Sequence, residues 1–94
     1  MSIAPISRSR LRPEFQATIL CIHHEKPALE MRSALLQSVG YRVFTASTAD
    51  QAMAIFVGNE IDLVLSDQLL PGLSSAELSI FMKQVRPGVA VVLM

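Results

Sequence analysis

The chain has 94 residues, of which 51% are hydrophobic and 17% charged, so it is long enough for one domain and apolar enough to bury a core. Eight basic and eight acidic side chains cancel, which argues against nucleic acid or an anionic membrane as a partner. No apolar run approaches the ~20 residues of a membrane-spanning helix. The single cysteine, Cys21, cannot form an internal disulfide, so a reducing cytoplasm is the expected location.

The chain divides into a short leading segment and one domain. Residues 1–16 lack a sustained helical or strand pattern and are predicted to be a flexible N-terminal segment. Residues 17–94 alternate strand and helix patterns, beginning with a predicted strand at 17–22. A helix follows, with Pro27 in its first turn and Gly40 as its C-terminal cap. Met31, Leu35 and Val39 recur at helical spacing, which predicts the apolar face of that helix.

The second half of the domain repeats this alternation. A second strand is predicted at 42–46, a third at 63–66 and a fourth at 89–94. Between them, two capping-box patterns mark helix starts, one formed by Thr48 with Gln51 and one by Ser74 with Glu77. The predicted core-facing positions of these two helices are Ala52, Ile55 and Phe56 in the first, and Leu78, Phe81, Met82 and Val85 in the second.

Alternating strands and helices of this length predict an α/β fold, a doubly wound parallel sheet of the flavodoxin-like type with strand order 2-1-3-4. In that order the first and third strands are neighbours, so their carboxyl ends meet. His23 and His24 follow the first strand, and Asp67 follows the third. Because successive side chains of an extended strand point to opposite sides, only one imidazole is expected to face Asp67.

One segment carries a family resemblance. Residues 62–72, Asp-Leu-Val-Leu-Ser-Asp-Gln-Leu-Leu-Pro-Gly, resemble the third strand and following loop of the receiver domains of bacterial response regulators. Gly40-Tyr41-Arg42-Val43, the stretch 46–53 and the final run 90–94 resemble other parts of the same domains, so the resemblance covers residues 17–94. A fifth strand and the last two helices of the family have no counterpart within these residues.

The resemblance implies roles for individual residues. Asp67 matches the aspartate that accepts a phosphoryl group, and the backbone carbonyl of Leu69 matches a magnesium ligand. His23 and His24 stand where the family has an acidic pair that holds magnesium, and Glu25 lies one residue beyond that pair. Magnesium prefers oxygen ligands in octahedral geometry, so this degenerate site is expected to bind Mg²⁺ weakly or not at all.

These observations predict a signalling module of a two-component phosphorelay that acts by protein–protein contact and is not an enzyme. Its expected partners are a sensor histidine kinase or another signalling protein, and a second copy of itself. Two alternatives remain open. The chain could be a phosphorylatable receiver within a longer parent chain, or His23, His24 and Asp67 could form a transition-metal or hydrolytic site, since imidazole suits zinc better than magnesium.

Overall fold

A computed structural model describes residues 16–67 and 74–94 of the chain. Four parallel strands form one sheet in the order β2-β1-β3-β4, as predicted. Within the described residues no helix is both long enough and apolar enough to span a membrane. In chain order the elements are β1 (Thr18–Ile22), α1 (Lys26–Ser38), β2 (Arg42–Ala46), α2 (Ala49–Gly58), β3 (Leu63–Ser66), α3 (Ser75–Val85) and β4 (Ala90–Leu93).

The central strand β1 separates two apolar cores. All five of its residues are buried, as expected for a strand with a neighbour on each edge and helices on both faces. Leu20 and Ile22 point into the larger core, where they pack with Phe56 and Met82 of the second and third helices. On the opposite face, the side chains of Ile19 and Cys21 pack with Leu29 of α1.

Burial also changes the chemistry of the single thiol. Cys21 has no solvent-exposed surface, and removal from water raises its pKa from 9.0 to about 11. The side chain is therefore a protonated packing residue with a free thiol.

The apolar face predicted for α1 is wrong. Met31 and Leu35 are 68% and 64% exposed, and Val39 is exposed as well. The helix instead buries Leu29 and Ser33. Both sets have helical spacing, and periodicity gives the spacing of a buried stripe but not which of two stripes turns inward. The small Ser33 side chain allows α1 to lie close to the sheet, and Gln37 satisfies its hydroxyl through a hydrogen bond from Nε2 to Oγ of 2.8 Å.

The stripe predicted as core in α3 is half correct. Leu78 and Met82 are buried, but Phe81 and Val85 are 46% and 44% exposed. Phe81 borders an apolar groove of about 580 Å³ between α2 and α3, with Met53, Ala54 and Val57 on the opposite wall. The two buried residues, Leu78 and Met82, are thus four positions apart, and Phe81, three positions after Leu78, lies beside α2.

Both predicted helix starts are capped. The box at the start of α3 is complete, because the Ser74 side chain accepts from the Glu77 backbone N–H and the Glu77 carboxylate accepts from the Ser74 N–H. At α2 the Thr48 hydroxyl accepts from the Gln51 N–H, but the Gln51 amide oxygen accepts from the backbone N–H of Ser47 instead of Thr48. The prediction of a capping box is therefore confirmed for α3 and half confirmed for α2.

Candidate functional site

The adjacency of β1 and β3 places two groups of polar side chains at one edge of the sheet. Ile22 is in register with Ser66, the last residue of β3. The backbone N–H of Asp67 donates to the Ile22 carbonyl over 2.9 Å, which continues the ladder one residue further. Asp67 therefore lies beside the end of β1, next to the turn that contains His23 and His24. This is the edge at which open α/β sheets bind ligands.

Both imidazoles contact the same carboxylate oxygen. His24 Nδ1 lies 3.0 Å from Asp67 Oδ2, within hydrogen-bond distance, and His23 Nε2 lies 3.8 Å from it. The two rings stack on each other with centroids 5.2 Å apart and planes 16° from parallel. Since an ionised carboxylate is only an acceptor, His24 donates through Nδ1–H in this arrangement.

The expectation that only one histidine would face Asp67 is therefore wrong. The alternation of side chains applies to extended strands, and β1 ends at Ile22, before either histidine. In the turn that follows, the backbone N–H of Glu25 donates to His23 Nδ1 over 3.0 Å and orients that ring. The turn thus brings His23 and His24 to the same side.

Two other residues were predicted for the site, Glu25 and Leu69, and of these Glu25 lies within the described residues. Glu25 is exposed and is the N-cap residue of α1, without a side-chain capping bond. Its backbone contributes to the site through His23, but its carboxylate is not among the groups that converge on Asp67. Leu69, whose carbonyl matches a magnesium ligand by resemblance, lies outside the described residues, and so does the segment 1–15.

Ser66 supports the site and was not identified from the sequence. Its hydroxyl donates to the Asp67 carbonyl over 3.0 Å, and the residue is buried. The hydroxyl satisfies a backbone acceptor where the strand ends. The available signal was a polar residue at the end of an otherwise apolar run, directly before the carboxylate.

The side chains around Asp67 do not fit magnesium. Among the described residues, the ligand atoms that converge are two imidazole nitrogens and one carboxylate oxygen, all within 4.8 Å of one another. Magnesium is a hard ion that binds oxygen ligands and retains several waters. Two of the three converging donors are nitrogens, so the described side chains do not supply the oxygen-rich site that magnesium requires.

Comparison with known proteins gives the family. No family model matches the chain. The phosphate regulon transcriptional regulatory protein PhoB of Pseudomonas aeruginosa is 40% identical over 62 residues, which are 66% of this chain and 27% of that protein. A response regulator receiver domain protein from Clostridium thermocellum has 34% identity and a TM-score of 0.79, over 82% of this chain and 63% of that one.

A further solved structure is the response regulator TrrA of Thermotoga maritima, in complex with Mg²⁺-BeF. It has 27% identity and a TM-score of 0.78, over 83% of this chain and 68% of that one. The chain belongs to the response-regulator receiver domains, the signalling modules of two-component systems. It spans about a quarter of the length of PhoB and 63% of the Clostridium thermocellum chain.

Proposed function

We propose that the chain is a degenerate receiver that signals by protein–protein contact, with Asp67 in the phosphoacceptor position. The observation that carries this proposal is the pair of histidines that contact Asp67 where the family has magnesium-binding acids. Catalysis of phosphoryl transfer consists mostly of positioning and of neutralising charge with a metal ion. Asp67 has a receiver's position at the sheet edge, but two imidazoles stand in place of the acidic pair that would bind magnesium.

The proposed partners follow from the family. Receiver domains imply signalling partners such as kinases, and we propose a sensor histidine kinase or another signalling protein as the partner of this one. We also propose that the domain acts in the cytoplasm, is not an enzyme and does not bind nucleic acid. The balanced charge of the chain supports the last point, because no excess of cationic groups is present to attract a polyanion.

Phosphorylation assays test the degenerate state. Acetyl phosphate in the presence of Mg²⁺ is expected to label the chain weakly, since His24 already hydrogen-bonds to one oxygen of the Asp67 carboxylate and, among the described residues, no second carboxylate converges on it to hold Mg²⁺. Asp67→Asn should remove whatever label forms, because the amide keeps the size of the side chain but is not a nucleophile. Mass spectrometry of the intact chain measures the label, and Asp50→Asn, an exposed carboxylate at the start of α2, is the control.

Two results would contradict the proposal of a degenerate receiver with Asp67 in the phosphoacceptor position. Label that persists in Asp67→Asn would show that another residue accepts the phosphoryl group. Rapid, complete and magnesium-dependent labelling of the unaltered chain would favour the alternative of a phosphorylatable receiver that belongs to a longer parent chain.

We also propose that the 94-residue chain forms a homodimer through β4. This strand lies at an edge of the sheet, with β3 as its one neighbour among the described strands. Its sequence is Ala-Val-Val-Leu, without a charged side chain, and Val92 is 44% exposed. Unprotected, uncharged edge strands favour pairing with another chain.

A charge on the β4 edge should weaken this dimer. Val92→Lys is expected to raise the dimer dissociation constant at least about tenfold, or ~1.4 kcal/mol, because two like charges would approach across the paired edges. Val92 is preferable to Val91, since Val91 packs against the larger core. Sedimentation equilibrium measures the constant, with Met31→Lys on the exposed face of α1 as the matched control. A chain that remains monomeric at all concentrations would refute the dimer.

A further inference from the structure

We infer that His23, His24 and Asp67 form a binding site for a divalent transition-metal ion of the zinc type. Two side chains follow β1 and one follows β3, and their ligand atoms all lie within 4.8 Å of one another. This inference goes beyond the proposed signalling role, since it concerns which ion the degenerate site selects. It stands or falls independently of whether Asp67 is ever phosphorylated.

The distances are close to those that a tetrahedral ion requires. Bonds of about 2.0–2.1 Å to nitrogen and oxygen place ligand atoms roughly 3.3–3.4 Å apart in a tetrahedron. The Asp67 oxygen is 3.0 Å from His24 Nδ1 and 3.8 Å from His23 Nε2, which are within half an ångström of that separation. The three ligand atoms lie within 4.8 Å of one another, a limit that exceeds the tetrahedral separation by about 1.5 Å, so the two imidazoles would have to reorient as the ion binds.

The donor set selects among metals. Imidazole nitrogens suit zinc, copper and nickel, whereas magnesium and calcium prefer carboxylate, carbonyl and water oxygens. Three protein ligands on a tetrahedral ion leave the fourth position open to water or to an exogenous ligand. The side chains are partly accessible, with His23 12%, Asp67 18% and His24 42% exposed, so an ion can reach them from solvent.

Binding would change the hydrogen bonds that hold the two rings. His23 Nδ1 accepts from the Glu25 N–H, so the neutral ring carries its proton on Nε2. Nε2 can bind a metal only after that proton is lost and Nδ1 is protonated, which removes the Glu25 bond. Such a bond is worth about 1 kcal/mol net. On the other ring, the Nδ1 proton that His24 donates to Asp67 must move to Nε2 before Nδ1 can bind the ion.

The bound ion and a phosphoryl group would compete for the same carboxylate. Asp67 Oδ2 is the oxygen that both imidazoles contact, and the ion would replace these contacts with bonds to itself. A metal-loaded site would therefore be closed to phosphorylation through that oxygen. Conversely, phosphorylation of Asp67 would occupy one of the three proposed ligands and so weaken metal binding.

Zinc titration of the full chain tests the inference. We expect one equivalent of Zn²⁺ to bind by isothermal titration calorimetry, with no displacement by millimolar Mg²⁺. His24→Gln and Asp67→Asn should each weaken the affinity at least about tenfold. Little zinc binding is expected at other places on the chain, because both of its histidines lie in this site and its one cysteine, Cys21, is buried. Glu60→Gln, which changes an exposed carboxylate, is the matched control for Asp67→Asn.

A second readout locates the ion independently of the variants. The backbone amide resonance of Glu25 should shift on zinc binding, because its hydrogen bond to His23 is lost. Absence of saturable zinc binding would overturn the inference. Unchanged zinc affinity in a double variant with His23→Gln and His24→Gln would also overturn it. Displacement of zinc by Mg²⁺ would do so as well, because it would indicate that oxygen ligands hold the ion. Circular dichroism confirms that each variant is folded before its affinity is compared.

Discussion

Replacing His23 and His24 with aspartate is expected to give the chain a magnesium site. The two rings already contact the Asp67 carboxylate, so acids on the same backbone positions would bring three carboxylates together. Mg²⁺ affinity should rise at least about tenfold, equivalent to ~1.4 kcal/mol. Labelling by acetyl phosphate should rise with it, because the ion neutralises the charge that develops during transfer.

The control for this double variant is His23→Asn with His24→Asn, which has nearly the same side-chain volume but no charge. Calorimetric titration with Mg²⁺ distinguishes the two. If the aspartate pair gains no more affinity than the asparagine pair, then these two positions do not correspond to the acidic pair of the family, and the degenerate-receiver proposal loses its main support. Zinc binding by the aspartate pair should fall in parallel, since the imidazole ligands are gone.

Phe56→Ala is expected to be the most destabilising single substitution in the larger core. Phe56 has no exposed surface and packs with residues of β1 and α3. Its ring also lies 4.5 Å from the guanidinium carbon of Arg86, which donates through Nη2 to the Phe56 carbonyl over 3.3 Å. Truncation of a buried phenylalanine costs about 3–5 kcal/mol, a large share of the ~5–15 kcal/mol that stabilises a typical domain.

Two companion variants separate the contributions to this effect. Val57→Ala, at the next residue and 57% exposed, should change the free energy of unfolding by less than about 0.5 kcal/mol. Phe56→Leu retains most of the apolar volume but loses the contact between ring and guanidinium, so its cost should fall between the two. Urea denaturation measures all three. A loss below about 1 kcal/mol for Phe56→Ala would show that α2 does not pack on the sheet as described.

The strand order and the position of Asp67 could be predicted because local signals agree with one another. Apolar runs of four to six residues, separated by capped helices, permit few arrangements other than a parallel sheet. Once β1 and β3 are neighbours, the register brings the ends at Ile22 and Ser66 together. The site therefore follows from topology, and its chemistry follows from the residue types at these ends.

The features that the sequence did not predict are the directions in which side chains point: which face of α1 is buried, and how His23 and His24 are oriented. Met31 and Leu35 have the same periodicity as the residues that α1 buries, and only packing against the sheet decides between the two faces. The orientation of His23 and His24 likewise depends on the dihedral angles of the turn after β1, where the Glu25 amide donates a hydrogen bond to the His23 ring. The exposure of Phe81 depends on where α3 lies against α2, which no local pattern encodes.

The order of strands also determines how the chain acquires its structure. The β1–β2 and β3–β4 pairings each join strands separated by one helix, as when Thr18 pairs with Arg42. The β1–β3 pairing spans two helices and a strand. Closing that longer loop costs more entropy, and slow folding correlates with such distant contacts. Folding is thus expected to end with the docking of two locally formed halves, and that docking step also assembles the His23-His24-Asp67 cluster from its separate parts.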